Sequence, residues 1–182
     1  MTASSTAPVV AVTGATGFLG RHLCKALTQR GWQVLPVSRS ACVCDGLQVI
    51  GAGENFSQLA PQMIAGADCL IHCAARVHQL HEESMGAEEL EAAYLAANVD
   101  AAMQAACAAR EAGLRRFVFV SSVHVQARST ADGVVLCADG PCDPQSPYAR
   151  SKYKAEKTLT EFCRDTGLEL VVVRPPLVYG AG

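Results

Sequence analysis

An α/β fold, in which helices cover both faces of a parallel sheet, is predicted by two features of the sequence. Short apolar segments alternate along the chain with longer segments of helical periodicity. Most of the short segments are apolar throughout, which is typical of strands buried on both faces. The first of them leads directly into Gly14, Gly17 and Gly20, and this glycine-rich junction between a strand and a helix strengthens the prediction.

The elements can be assigned in chain order from these signals. The first strand begins at Val9, and the helix after it carries an apolar face that includes Leu23 and Leu27 before Gly31 ends it. Further strands are predicted at 32–37, 47–50, 68–73, 117–121 and 168–173, and further helices at 56–64, 82–113 (in one or two pieces) and 146–165. Because parallel crossovers are right-handed, the strand order 3-2-1-4-5-6 is favoured, which describes a doubly wound sheet of the Rossmann type.

The composition is that of a single domain with no surface for polyanions. The chain has 182 residues, of which 50% are hydrophobic, and its formal net charge is −2. This length allows one sizeable core, and the balanced charge argues against nucleic acid as a partner. The longest apolar stretch, 92–109, is interrupted by Asn98, Asp100 and Gln104, so it predicts an alanine-rich helix and no membrane span.

The cysteine pattern indicates neither a metal site nor a disulfide framework. The chain has nine cysteines, no two of which form a C-x-x-C pair. Cys42 and Cys44 have no second pair at a spacing suited to zinc. An odd number of thiols fits a reducing compartment, so we expect a cytoplasmic protein without a bound metal.

The glycine-rich junction predicts a nucleotide site. A strand, a glycine turn and a helix together let backbone N–H groups and the helix N-terminus hold a pyrophosphate. Gly14 would form the tight turn, Gly17 would leave room for the phosphates, and Gly20 would let the helix approach the strand. A glycine turn can also serve a tight junction alone, but its position after the first strand favours the nucleotide site.

Ser38 and Arg39 follow the second strand, where dinucleotide-binding folds contact the adenosine ribose. Proteins that bind NAD usually have an acidic residue there, whereas an arginine suits the 2′-phosphate of NADP. No acidic residue stands at this position in the sequence. NADP is therefore favoured over NAD, and the alternative is that Arg39 is a solvated loop residue.

A candidate for acid–base chemistry lies on the helix predicted at 146–165. Tyr148 and Lys152 are four residues apart and therefore share one face of that helix. A nearby ammonium and an oxidised nicotinamide ring would both lower the phenol pKa, so Tyr148 could exchange a proton with a substrate oxygen while hydride moves to or from the cofactor. Ser122, which follows the fifth strand, would hydrogen-bond the same oxygen.

Tyr153 and Lys157 form a second pair with the same spacing in the same helix. Pro147 decides between the two pairs, because proline fits the first turn of a helix and so places Tyr148 at its N-terminal end. That end faces the crevice at the carboxyl edge of the sheet. Tyr153 lies about 7 Å further along the axis and about 140° around it, so Tyr148 is the preferred candidate.

Six motifs in order along the chain resemble the extended short-chain dehydrogenase/reductases, and within them the NAD-dependent epimerase/dehydratase branch that includes UDP-glucose 4-epimerase-like proteins. They are TGATGFLG at 13–20, HCAA at 72–75, Asn98-Val99, Ser121-Ser122, SPYARSK at 146–152 and RPPLVYG at 174–180. The resemblance implies an enzyme that uses NAD or NADP and acts on a nucleotide sugar or a related carbonyl or alcohol. It implies that Ser122, Tyr148 and Lys152 are catalytic.

The same resemblance implies a set of cofactor-binding residues distributed over the carboxyl edge of the sheet. In it Asn98 would also brace the central helix, and the segment from Arg174 would run beside the nicotinamide. The implied set comprises Gly14, Thr16, Gly17, Phe18, Leu19, Gly20, Ser38, Arg39, Ala74, Ala75, Arg76, Asn98, Ser121, Tyr148, Lys152, Arg174 and Pro175.

Two departures from the family pattern narrow the activity that we expect. Family members that eliminate water carry an acidic pair after the catalytic serine or threonine, and this chain has Val123-His124, so a dehydratase is disfavoured. Family enzymes also continue into a C-terminal substrate lobe, and residues 1–182 would be the NAD(P)-binding domain alone. Two hypotheses remain: the cofactor-binding part of an epimerase or reductase, or a binding module without turnover that acts as a sensor or partner surface. We expect self-association, in its simplest form as a homodimer, through apolar surface near Leu177 and Tyr179.

Overall fold

The computed structural model describes residues 7–77 and 84–180, which form one α/β unit. Its strands are β1 (Val9–Thr13), β2 (Gln33–Ser38), β3 (Cys42–Cys44), β4 (Leu47–Gly51), β5 (Cys69–His72), β6 (Arg116–Val120) and β7 (Glu169–Val173). Its α-helices are α1 (Phe18–Gln29), α2 (Ala87–Leu95), α3 (Ala101–Glu111) and α4 (Pro147–Thr166). The strands form one sheet in the order β3-β4-β2-β1-β5-β6-β7.

The predicted fold class is confirmed, and so is the predicted order of the six parallel strands. β3 is an additional edge strand that pairs antiparallel with β4. The two strands are joined by Asp45 and Gly46, which both have positive φ angles, of 49° and 80°, as expected for a two-residue hairpin turn with an Asp-Gly sequence. This dipeptide was the available signal for the missed strand.

The helix predicted at 56–64 is wrong. The chain forms two short 3₁₀ turns instead, Glu54–Phe56 and Pro61–Met63. Pro61 cannot continue a helix from the preceding turn, and Asn55 and Phe56 have positive φ angles of 50° and 59°. The apolar spacing that suggested a helix arises because Phe56, Leu59 and Ile64 each enter the core from irregular backbone.

The helix predicted at 82–113 consists of α2 and α3, joined by a π-helical turn over Ala96–Asp100. Glu82 lies outside the described residues. π-helical turns insert one extra residue per turn and occur frequently at functional sites. Here the turn contains Asn98, whose side chain is completely buried and points toward the segment after β5.

The core is unequal on the two faces of the sheet. On one face α3 and α4 pack against β5 and β6, with Leu70, Phe117, Phe119 and Leu159 completely buried. The alanines of α3 allow close approach of that helix, since their side chains add little bulk. On the other face α1 covers a smaller cluster that includes Val10, Val12 and Leu27. Among the described residues, no helix is both long and apolar enough to span a membrane.

Candidate active site

The carboxyl edge of the sheet brings together the glycine turn after β1 and the segments after β5, β6 and β7. The N-terminal end of α4 lies over the same edge, because the chain after β6 crosses it before the helix begins at Pro147. The side chain of Ser146 caps this helix by accepting a hydrogen bond from the Ala149 N–H at 3.1 Å. Pro147 and this cap fix the point at which α4 starts, and so the position of Tyr148 in its first turn.

The three glycines of the turn have different tasks. Gly14 has a φ angle of +72°, and a Cβ there would lie 2.6 Å from the Ala74 nitrogen. A Cβ at Gly20 would lie 2.1 Å from the Gly14 oxygen, so both positions require glycine for packing. Gly17 precedes α1, and a Cβ there would meet only the Gly14 oxygen, at 3.3 Å. Gly17 and Thr16 are exposed, which leaves the helix N-terminus open at this point.

The segment after β2 has an acidic partner from another part of the chain, which the sequence did not predict. Glu54, which follows β4, places Oε1 3.6 Å from an Arg39 guanidinium nitrogen, and the two side chains are 71% and 77% exposed. The sequence has no acidic residue directly after β2, and the fold brings one beside Arg39 from the segment after β4. Ser38 is buried, and its hydroxyl donates to the Ser40 carbonyl at 2.9 Å. An exposed ion pair of this kind contributes about 0–1 kcal/mol, so Arg39 can exchange partners readily.

The Tyr148 phenol interacts with the side chain of Ser122, which acts to lower the pKa of the phenol. Ser122 also accepts from the His124 N–H at 3.2 Å, which fixes the serine at the start of a short 3₁₀ turn. Burial raises the pKa of Tyr148 above its usual value, and the interaction with Ser122 opposes this only in part. The Lys152 ammonium therefore does not lower the phenol pKa as predicted, and Tyr148 retains its proton at neutral pH. The effect of an oxidised nicotinamide ring stays a prediction.

Lys152 is 1% exposed, and its ammonium donates to the Val120 carbonyl at 2.9 Å. The same ammonium lies 4.7 Å from the centre of the Phe119 ring. Burial lowers the pKa of Lys152 to about 8, while the Cys73 thiol and the Glu156 carboxylate act in the opposite direction. The lysine remains mostly charged at neutral pH, and its charge is held at the end of β6.

The rival pair on α4 is arranged differently. The Lys157 ammonium lies 4.9 Å from the centre of the Tyr153 ring, and Lys157 is exposed. This cation–π contact is local to the helix, with both partners on the side of α4 away from Tyr148 by the helical geometry. The tyrosine that interacts with Ser122 is Tyr148, and the choice of that tyrosine as the acid–base residue stays a prediction.

Asn98 fastens the segment after β5 to α4. Its Oδ1 accepts from the Arg76 N–H at 2.7 Å, while Nδ2 donates to the Arg76 carbonyl at 3.1 Å and to the Ser151 hydroxyl at 2.9 Å. Ser151 in turn donates to the Tyr148 carbonyl at 2.8 Å. These bonds occupy the buried amide, so Asn98 acts as a brace, and its contact with the cofactor stays a prediction.

Ser121 and Arg174, both predicted to contact the cofactor, hydrogen-bond to a buried carboxylate. The Ser121 hydroxyl donates to Glu156 Oε1 at 2.5 Å. Arg174 donates to the same carboxylate from Nε at 3.0 Å and from Nη2 at 2.6 Å, and from Nη1 to the Ala138 carbonyl at 3.0 Å. Sequence reasoning missed Glu156, although its position four residues after Lys152 placed it on the same helical face.

Tyr94 is a second residue that the sequence did not single out. It is buried, and its ring packs edge-on against that of Tyr148, with centres 6.2 Å apart. The Arg76 guanidinium lies 5.6 Å from the centre of the Tyr94 ring. Tyr94 therefore forms one wall beside Tyr148, and the α2 helix takes part in shaping the site.

The remaining predicted residues occupy the expected edge of the sheet. Ala74 and Ala75 follow β5, and the Pro175 carbonyl accepts a hydrogen bond from the Val123 N–H at 3.0 Å. His72, at the end of β5, is completely buried and shares a 2.8 Å hydrogen bond with the Thr13 hydroxyl; burial lowers its pKa to about 3, so it is neutral. No cluster of His, Cys, Asp and Glu in the described ranges could hold a metal ion.

Known proteins share this sequence pattern and this fold. The model of the family described as NAD dependent epimerase/dehydratase matches residues 10–182. The chain is 31% identical over 175 residues to the UDP-glucose 4-epimerase of Vibrio cholerae. The aligned region covers 95% of this chain and 52% of that protein. It is 36% identical over 181 residues to the 2-alkyl-3-oxoalkanoate reductase of Stenotrophomonas maltophilia (strain K279a), with the same two shares.

Among solved structures, MoeE5 in complex with UDP-glucose and NAD superposes with a TM-score of 0.71 at 32% identity, covering 90% of this chain and 52% of that one. The chain thus spans about half the length of the curated relatives that it matches. Since the family model matches nearly the whole sequence, the chain belongs to the NAD-dependent epimerase/dehydratase family.

Proposed function

We propose that this chain is the cofactor-binding and proton-transferring part of an NAD(P)-dependent epimerase or reductase whose substrate carries a hydroxyl or ketone, with a nucleotide sugar as the favoured class. The observation that carries the proposal is the position of Tyr148 in the first turn of α4, where it interacts with Ser122 at the edge of the sheet that holds the glycine turn. The two named relatives, an epimerase of UDP-glucose and a reductase of an oxoalkanoate, support this range of substrates.

The residues at the glycine turn fit a dinucleotide. Gly17 is exposed at the start of α1, and within the described part of the chain no side chain caps that helix. A Cβ at this position would narrow the space beside the Gly14 oxygen. The free N–H groups of the first helical turn can then bind phosphate oxygens. Thr16 and Phe18 flank the same space.

The proposed chemistry assigns one task to each residue. A bound nicotinamide would supply or accept the hydride. Tyr148 donates its proton to the substrate oxygen as the carbonyl carbon is reduced, and takes a proton from the hydroxyl in the reverse direction. Ser122 orients the oxygen between itself and the phenol. The charge on Lys152, fixed at Val120, favours the phenolate that remains after the proton has left.

The cofactor preference has two candidate determinants. Arg39 is exposed and can turn to a 2′-phosphate, which supports NADP as the favoured cofactor. Glu54 lies beside it and can accept hydrogen bonds from the ribose hydroxyls of NAD. We retain NADP as the proposal, because an exposed ion pair is readily broken in favour of a doubly charged phosphate.

A binding module without turnover is the second candidate function, because the chain spans about half the length of its curated relatives. The test begins with titration of NADH and NADPH against the chain, followed by nicotinamide fluorescence. Binding with no turnover of any nucleotide sugar or ketone in the full-length protein would favour the module. Absence of binding for both dinucleotides would overturn the proposed function.

Turnover in the full-length protein tests the catalytic assignment. Tyr148→Phe keeps the ring and removes the proton, so we expect turnover to fall by about 10²–10⁴-fold with dinucleotide affinity nearly unchanged. Tyr153→Phe is the matched control and should be close to neutral. The opposite ranking of the two variants would show that the wrong tyrosine had been chosen.

A further inference from the structure

Glu156 joins three parts of the chain that meet beside the site. It lies in the middle of α4 and is buried. Its carboxylate receives hydrogen bonds from Ser121, directly after β6, and from Arg174, directly after β7. The residues joined are 35 and 18 positions apart along the chain. One carboxylate therefore ties the ends of two neighbouring strands to the helix that carries Tyr148.

Lys152 and Glu156 hold consecutive residues of the same strand end. The Lys152 ammonium binds the carbonyl of Val120, and the Glu156 carboxylate binds the hydroxyl of Ser121. Ser122 is the next residue, and its side chain interacts with that of Tyr148. Because α4 is hydrogen-bonded to Val120 and Ser121, Ser122 has little freedom to move away from the phenol.

We propose that Glu156 is a positioning residue of this site: its carboxylate presents Ser122 to Tyr148 through Ser121 and supplies the negative charge that faces the buried Lys152 ammonium one helical turn away. The roles of Ser122, Tyr148 and Lys152 in this statement rest on the proposed function. The hydrogen bonds and the charge that Glu156 contributes do not depend on it.

The charges around Lys152 can be named from each element packed against it. The Cys73 thiol directly follows β5. His72 is the last residue of β5, and its imidazole is neutral. The Glu156 carboxylate is paired with the Arg174 guanidinium. Among these groups Glu156 is the carboxylate that opposes the effect of burial on Lys152. Replacing it by a neutral side chain removes that charge and leaves the Arg174 cation uncompensated nearby. Both changes make the protonated lysine less favourable.

The titration of Lys152 can be followed directly by NMR. The chain has four lysines, and Lys25, Lys154 and Lys157 are exposed. Replacing these three by arginine leaves Lys152 as the single source of a lysine side-chain signal. In this background, labelled at the lysine Cε carbon, the signal is recorded from pH 6 to 11, with no cofactor or substrate present.

We expect Glu156→Gln, which has nearly the same shape, to lower the midpoint of this titration by roughly one pH unit or more. Glu156→Asp, which keeps the charge, should restore most of the difference. Glu161→Gln is the matched control, since Glu161 is exposed on the same helix, and it should leave the midpoint unchanged. An unchanged midpoint in Glu156→Gln, or an equal shift in Glu161→Gln, would overturn the proposal.

Arg174→Gln provides a test of opposite sign that does not alter Glu156. Removing the guanidinium leaves the carboxylate to interact with Lys152 alone, so the midpoint should rise. A fall or no change would contradict the proposed charge arrangement even if Glu156→Gln fails to fold. Because neither titration requires a cofactor, failure of dinucleotide binding would overturn the proposed function and leave the role of Glu156 to be decided by these midpoints.

Discussion

The glycine-turn region and the region around Tyr148 lie at the same edge of the sheet but are built in opposite ways. Around the glycine turn, backbone groups face outward, and the polar side chains nearby form exposed pairs such as Arg39–Glu54. Around Tyr148, the polar side chains are buried, and Lys152, Asn98 and Glu156 each have hydrogen-bond partners from other elements.

This difference indicates where substitutions can be tolerated. Water and salt ions can replace the partners of an exposed ion pair at little cost in free energy. The residues after β2 can therefore be substituted without loss of stability. A buried carboxylate or ammonium that loses its partner retains the full cost of its desolvation. Changes near Tyr148 should therefore reduce stability as well as activity, whereas changes near Arg39 should affect only ligand binding.

The strongest test of this contrast is Arg174→Met. Breaking the pair leaves the Glu156 carboxylate buried without its cation, and we expect a loss of about 3–5 kcal/mol in the free energy of unfolding. The matched control is Arg164→Met, whose partner Asp165 is adjacent and whose pair is 70% and 64% exposed. That variant should cost about 0–1 kcal/mol. Urea unfolding of both variants gives the comparison, and equal losses would remove the distinction between the two regions.

A smaller effect is expected within the glycine turn itself. In Gly20→Ala the added carbon would lie 2.1 Å from the Gly14 oxygen, so the helix must move, at a cost of about 3 kcal/mol. In Gly17→Ala the nearest atom is 3.3 Å away, and we expect little change in stability with weaker dinucleotide binding. Urea unfolding and a dinucleotide titration would be run on each. Equal destabilisation by the two variants would contradict the division of tasks among the glycines.

The smallest effect concerns cofactor preference. Arg39→Ala should weaken NADPH binding by about 1.5 kcal/mol, the lower end for a charge-assisted hydrogen bond, and leave NADH binding nearly unchanged. Glu54→Gln should weaken NADH binding if the carboxylate contacts the ribose. Calorimetric titration of NADH and NADPH against both variants measures the two effects separately. A clear preference for NADH in the unaltered chain, unaffected by Arg39→Ala, would refute the proposed preference for NADP.

Much of the fold could be predicted because its signals are local. The order of the six parallel strands followed from apolar segments, helical periodicity and the handedness of crossovers, and the structure confirms it. The missed hairpin at Asp45-Gly46 also carried a local signal. The prediction of a helix at 56–64 was wrong because apolar spacing shows which residues are buried and not how the backbone is folded. Phe56, Leu59 and Ile64 are buried, but they lie in irregular backbone around the 3₁₀ turn that begins at Pro61.

The sequence by itself determined the strand order, the glycine turn and the start of α4 at Pro147, because each depends on the conformational preferences of neighbouring residues. Only the tertiary structure decided which polar groups are buried together. Glu54 reaches Arg39 from the 3₁₀ turn after β4, and Glu156 reaches Ser121 across 35 residues. The pKa of Tyr148 was predicted to fall and instead rises, because desolvation is set by the whole fold and spacing along one helix does not reveal it.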